Sequence, residues 1–155
     1  MESDRFNRAK ATILIVDDSP EMRQYLRTLL ELDRYQVETV GTGIEALQLL
    51  REGFAPAVVL LDVNMPGMDG WQTLRHLRKL WPELNVIMCS GDDDPDRTRR
   101  AAFLRVQAYL TKPVQHLYLS AAIERCLAAQ ATKPAKHYPG TRVIRLPLRD
   151  SGRQS

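Results

Sequence analysis

The sequence predicts an α/β fold in which a five-stranded parallel sheet carries helices on both faces. Three observations lead there. The apolar runs Ile13–Val16, Ala57–Leu61 and Val86–Cys89 are continuous rather than alternating, the pattern of strands buried on both sides. Segments of helical spacing follow the strand segments, several with their own start and stop signals. The two kinds of element alternate strictly, and such alternation calls for parallel strands joined by crossover helices. With 155 residues the chain is long enough for one substantial core.

The elements are read in chain order. Thr12–Val16 is the first strand. Ser19-Pro20-Glu21 opens a helix, with Ser as cap, Pro at the first helical position and Glu complementing the dipole. Met22, Tyr25, Leu26, Leu29 and Leu30 then fall on one face. Gln36–Val40 is short and more polar, suited to a sheet edge. Thr42-Gly-Ile-Glu45 reads as a capping box, and Gly53 as the stop of that second helix. Ala57–Leu61 is the third strand. Asp69-Gly-Trp-Gln72 caps a third helix that runs to about Leu80 and is ended by Pro82. Val86–Cys89 is the fourth strand, about Pro95 to Leu104 the fourth helix, Ala108–Thr111 the fifth strand, and Val114 to about Ala129 the fifth helix. Pro134, Pro139, Gly140 and Pro147 break whatever follows.

Composition excludes several classes. Hydrophobic residues make up 44% and charged residues 26%, which is neither a disordered chain nor a collagen-like or coiled-coil rod. No apolar run approaches the ~20 residues of a membrane span, and the acidic start Met1–Arg5 precedes no signal-type core, so a cytoplasmic protein is expected. Cys89 and Cys126 have no zinc-like spacing and read as buried free thiols; His76, His116 and His137 are scattered. Residues 129–155 hold six cations against Asp150, a net +5, while the other 128 residues carry 16 cations and 18 acids, a net −2. The basic character belongs to the tail, which weakens a nucleic-acid reading of the body.

In doubly wound sheets ligands bind beyond the carboxyl ends of the strands. There the sequence collects Asp17 and Asp18 after strand one, Asp62 after strand three, Ser90, Gly91 and Asp92 after strand four, and Lys112-Pro113 after strand five. Each alone has a plain explanation as a turn, a cap or a strand terminator. Together, three carboxylates repel one another, and one is expected to take up a proton unless a divalent cation removes the cost. A few hard oxygen ligands suit Mg²⁺, which keeps waters and commonly shares its shell with a phosphate. The lysine and the hydroxyl would hold the other phosphoryl oxygens.

These residues, with Asn64-Met65-Pro66-Gly67-Met68-Asp69-Gly70 and Tyr109-Leu110-Thr111-Lys112-Pro113, resemble the receiver domain of bacterial two-component response regulators, of the stand-alone, chemotaxis-regulator-like kind. The match runs from about Ala11 to Ala129. The resemblance implies a flavodoxin-like three-layer sandwich with strand order 2-1-3-4-5. It implies that Asp62 is the phosphoacceptor, and that Asp17, Asp18, Asp62 and the backbone carbonyl of Asn64 form the Mg²⁺ site, Asp17 largely through water, with Mn²⁺ able to substitute. Lys112 would contact a phosphoryl oxygen and precede a cis peptide bond. Ser90 would hydrogen-bond the phosphoryl group, and Tyr109 would turn inward with it. The donor implied is a sensor histidine kinase or a histidine phosphotransfer protein, and the reader an unidentified downstream protein. Dimerisation through helix four, strand five and helix five is also open to such a domain; membrane association and direct DNA binding are not expected.

The sequence departs from the family at Arg105-Val106, where many members have Gly-Ala, and at Ser90, where Thr is commoner. Polar Asn64 and Asp92 sit two residues after Asp62 and Ser90, where the family's polar side chains help orient the hydrolytic water, so the resemblance implies a short-lived phosphoryl group. Arg97, Arg99, Arg100 and Arg105 suggest an acidic or phosphorylated partner, against a plain solvated helix. The domain plan is an N-terminal extension (1–10), the receiver (11–130) and a basic tail (131–155), too short for a DNA-binding domain with a core. That tail reads as a solvated end, as a docking segment through Thr141–Leu148, or as a linker of a longer regulator. An enzyme alternative, a Mg²⁺-dependent aspartyl-phosphate phosphatase, would put its nucleophile after strand one and need a cap domain. The expectation is therefore a switch that catalyses only its own phosphotransfer and dephosphorylation.

Overall fold

The computed structural model describes residues 9–91 and 94–131. The expectations for the N-terminal extension, for Asp92 and for most of the tail fall outside these residues. The chain runs β1 (Thr12–Val16), α1 (Pro20–Leu32), β2 (Gln36–Val40), α2 (Gly43–Arg51), β3 (Val58–Asp62), α3 (Gly70–Leu80), β4 (Val86–Ser90), α4 (Arg97–Phe103), β5 (Ala108–Thr111) and α5 (His116–Ala131). All strand pairs are parallel and the order is β2-β1-β3-β4-β5. β3 and β4 are buried at every residue and β2 is the polar edge, as their compositions require.

Strand residues alternate between two apolar layers. Leu14, Val16, Val59, Leu61, Val86 and Met88 meet Ala46, Leu47 and Leu50 of α2 and Trp71, Leu74 and Leu77 of α3. Ile13, Ile15, Val58, Leu60, Ile87 and Cys89 meet Leu26 and Leu30 of α1 and Leu119, Ala122, Ile123 and Cys126 of α5. Cys89 and Cys126 are buried and free, as read; burial pushes the Cys89 thiol up to about 12, which makes it inert.

The caps explain most boundaries. The Ser19 hydroxyl accepts from Met22 N–H at 3.2 Å. Asp69 and Gln72 form a complete capping box for α3. The Thr42 box is only half made: Thr42 accepts from Glu45 N–H, but the Glu45 carboxylate reaches Gly41 N–H rather than that of Thr42. Several limits differ from the sequence reading, among them β4, which runs one residue further to Ser90. β3 is Val58–Asp62, so Asp62 is its last residue rather than the one beyond it. α4 starts at Arg97, because Asp94 and Asp96 fold as a turn with no side-chain cap on the helix. α5 starts at His116, since the Val114 carbonyl is taken by the Tyr25 hydroxyl at 2.8 Å and Val114 itself is buried.

Candidate functional site

The strand order reverses between β1 and β3, and the loops leaving these two strands diverge to opposite faces of the sheet. The crevice so formed is the place where doubly wound folds bind ligands. Asp17 directly follows β1 and Asp62 ends β3. Asp17, Asp18 and Asp62 each offer a carboxylate oxygen, and these atoms lie within 4.8 Å of one another. Asp17 and Asp62 are buried, whereas Asp18 is exposed at the rim.

Lys112, just past β5, donates from Nζ to Asp17 Oδ2 and to Asp62 Oδ1, both at 3.1 Å. Its own backbone N–H donates to Ser90 C=O at 2.8 Å, and the Lys112–Pro113 bond is cis as expected. Asp17 Oδ1 is fixed by Ser19 N–H at 2.9 Å, and Asp62 Oδ1 accepts from Asn64 N–H at 3.4 Å. Burial, reinforced by the charge of Asp17, raises Asp62 to about 6 against the pull of Lys112. This is the proton uptake that crowded carboxylates predict, and it marks a site short of positive charge. On Lys112, burial works against the ammonium, but the bonds to Asp62 and Asp17 outweigh it and hold the group above its ordinary value. The donor set is all oxygen, clustered and under-neutralised, which fits a hard divalent cation.

The remaining sequence candidates surround this pocket. Ser90 is fully buried at the end of β4, in register with Thr111. Asn64 is exposed two residues after Asp62. A Cβ built on Gly91 would meet nothing nearer than the Lys112 Cβ at 4.0 Å, so the space beside the pocket is open. Tyr109, opposite Met88, points its ring into the layer of α3, where it stacks on Trp71 with centroids 6.2 Å apart.

Sequence reasoning assigned no site role to three contributors, of which Gly70 stood only in the matching motif and Trp71 only in the cap of the third helix. Gly70 closes the back of the site: its N–H donates to Val63 C=O at 2.8 Å, and a Cβ there would stand 2.2 Å from the Asp62 carbonyl oxygen. Trp71 supplies the platform under Tyr109. Arg78 is a buried arginine whose guanidinium donates to the carbonyls of Leu84, Leu104 and Arg105, tying α3 to the loop before β5. Its signal was legible: Arg78 falls on the apolar stripe of Trp71, Leu74 and Trp81. The departure at Arg105 shows in the backbone, which is left-handed there with φ +56° and keeps its carbonyl on Arg78. The arginines of α4 are more than a solvated face, because Arg97 lies over the Tyr109 ring and Arg100 over the Trp71 ring.

A doubly wound parallel sheet with an acidic pocket and one lysine at its switch point defines a class of small α/β domains that handle an anion together with a cation. Within that class the chain belongs to the response regulator receiver domain family, whose model matches residues 13–124. It is 38% identical over 120 residues to the transcriptional regulatory protein CpxR homolog of Haemophilus influenzae, covering 77% of this chain but only 52% of that protein. It is 30% identical over 117 residues to the chemotaxis protein CheY of Halobacterium salinarum, covering 76% of this chain and 97% of that one. The structure is similar to a receiver domain protein from Clostridium thermocellum, with TM-score 0.74, 33% identity, and coverage of 78% of this chain and 97% of that one. The chain thus spans about half the length of the Haemophilus relative and nearly all of the CheY. Receiver domains are signalling switches that interact with histidine kinases or phosphotransfer proteins and bind Mg²⁺ at an acidic pocket. No described helix is long and apolar enough to cross a membrane.

Proposed function

We propose that this chain is a phosphorylation-controlled switch in which Asp62 accepts a phosphoryl group from a sensor histidine kinase or histidine phosphotransfer protein and thereby changes its affinity for a downstream protein. The observation that carries this reading is the convergence of Asp17, Asp18 and Asp62 with the Lys112 ammonium 3.1 Å from two of them. An Asp62 carboxylate oxygen attacks phosphorus as the P–N bond to the donor histidine breaks. Phosphoryl transfer asks for positioning and charge neutralisation more than covalent help. Asp17, Asp18, Asp62 and the Asn64 carbonyl would hold Mg²⁺, or Mn²⁺ in its place. When bound, that ion supplies the positive charge that keeps Asp62 ionised and neutralises the transferred group. Lys112 takes one phosphoryl oxygen and the Ser90 hydroxyl donates to another. Tyr109, whose ring already lies inward with its hydroxyl buried, is held in that position once Ser90 engages the phosphoryl group.

The reading surface is the face formed by α4, β5 and α5, also the place for any dimer. Phe103, Leu117 and Tyr118 are exposed there, and Arg97, Arg99, Arg100 and Arg105 favour an acidic partner.

Intact-mass measurement after mixing with acetyl phosphate and Mg²⁺ tests the proposal. A labile phosphoryl adduct on the wild type and none on Asp62→Asn is the expected result. Uptake by Asp62→Asn at the wild-type rate overturns the acceptor assignment, and steady turnover of unrelated phosphate esters favours the phosphatase instead. A thermal midpoint that rises with millimolar Mg²⁺ in the wild type but not in Asp18→Ala tests the metal site.

A further inference from the structure

We propose that Trp71 is a positioning residue for Tyr109 and forms a second relay from the acceptor strand to β5, beside the route through Ser90; this rests on the phosphoacceptor reading of Asp62. The relay starts at backbone contact. The first residue of α3, Gly70, is bonded to Val63 C=O and sits so close to the Asp62 carbonyl that a Cβ would overlap it. A shift of the strand end after β3 therefore displaces the first turn of α3. Trp71 is the next residue, only 4% exposed, and Met65, Met68, Ala101, Leu104 and Val106 pack in the same layer. Its indole stacks on Tyr109 at 6.2 Å with 21° between planes. Arg97 lies 5.3 Å from the centre of the Tyr109 ring and Arg100 5.8 Å from that of Trp71, so the stack is flanked by two cations of α4.

The polar tips of the pair turn this packing into a balance. Trp71 Nε1 and the Tyr109 hydroxyl are both buried without a hydrogen-bond partner among the described residues. Ring contacts, not hydrogen bonds, hold Tyr109 inward, and an outward rotation would return its hydroxyl to water. The inward position therefore gains from the ring contacts and loses at the hydroxyl, and the stack on Trp71 weights that balance. A replacement at Trp71 alters that weighting without touching a carboxylate, Lys112 or Ser90.

The test follows Tyr109 and phosphoryl uptake separately. The chain is labelled with fluorotyrosine, and the Tyr109 ¹⁹F resonance is assigned with Tyr109→Phe. Beryllofluoride with Mg²⁺ serves as phosphoryl mimic. In the wild type the Tyr109 resonance moves on adding the mimic. In Trp71→Leu, a phosphoryl adduct still forms by intact mass, while the inward–outward ratio of Tyr109 shifts outward by about fivefold or more, the low end of allosteric coupling. Uptake absent in the wild type refutes the acceptor reading itself. An adduct that forms with an unchanged Tyr109 ratio in Trp71→Leu overturns the relay alone. Trp81→Phe covers the case in which Trp71→Leu does not fold. It leaves Trp71 as the single tryptophan, and its emission changes with beryllofluoride if the relay exists; emission that ignores a bound mimic overturns it.

Discussion

α4 and α5 follow β4 and β5 on opposite faces of the sheet, yet they are held very differently. α5 buries Leu119, Ala122, Ile123 and Cys126 in the aliphatic layer beneath β1, β3 and β4. α4 buries nothing of its own; Ala101 is half-buried, its start lacks a side-chain cap, and its far end is tied through the Leu104 and Arg105 carbonyls to Arg78. The neighbouring tyrosines repeat the contrast. On the α5 side the Tyr25 hydroxyl donates to Val114 C=O, whereas on the α4 side the Tyr109 hydroxyl is buried and unbonded. α5 thus belongs to a satisfied core, whereas α4 is a weakly held helix over a cation-flanked aromatic pair. Elements that move in a switch are drawn from the weakly held end, and the cost of moving α4 is low because little apolar area leaves with it.

Core truncation breaks this comparison most directly. Leu119→Ala, at a fully buried site on α5, costs about 2–5 kcal/mol, while Phe103→Ala, 83% exposed at the end of α4, changes stability by less than about 0.5 kcal/mol. Urea unfolding of both variants checks it, and equal losses would erase the distinction. Gly70→Ala comes next, at about 1–3 kcal/mol, because its Cβ meets the backbone of Asp62 and Val63, which cannot yield like a side chain tip. The same variant should lose phosphoryl uptake from acetyl phosphate, since the acceptor must shift to make room.

The two tyrosines give a smaller and sharper contrast. Tyr25→Phe removes a made hydrogen bond and lowers stability by about 1 kcal/mol. Tyr109→Phe removes a buried hydroxyl without a partner, so stability is unchanged or rises by up to about 1 kcal/mol. The expected readout is a lowered thermal midpoint for Tyr25→Phe and an unchanged or raised one for Tyr109→Phe.

A pH-dependent effect of similar size lies on the satisfied side, where Asp33 accepts from Ser120 and pairs with His116 Nε2 at 2.9 Å. Burial works to raise Asp33, but the bonds from Ser120 and His116 outweigh it and hold the carboxyl below its ordinary value of 3.8. Between the lowered folded value and 3.8 the unfolded chain binds more protons, so this contribution is present above about pH 4 and fades as the pH falls. Ser120→Ala should therefore be less stable than wild type by about 0.5–1.5 kcal/mol at neutral pH, with the gap narrowing in acid. A gap that stays constant down to pH 3 would assign the loss to packing.

The residues alone determined the alternation of elements, the three buried strands, the polar edge strand and the cluster of Asp17, Asp18, Asp62 and Lys112 at the strand ends. These are legible because burial on both faces demands continuous apolar runs, and because chain reversal after each parallel strand places the following residues on one edge. The strand order came from resemblance, since several right-handed arrangements satisfy the same pattern. Only the tertiary structure decided that Asp62 is the carboxylate that burial and Asp17 raise to about 6, that Gly70 is in contact with the acceptor backbone, and that Trp71, Tyr109, Arg97 and Arg100 form one stack. Those facts depend on distances between elements dozens of residues apart. A periodic pattern specifies which face a side chain takes, but not which side chain of another element it meets there.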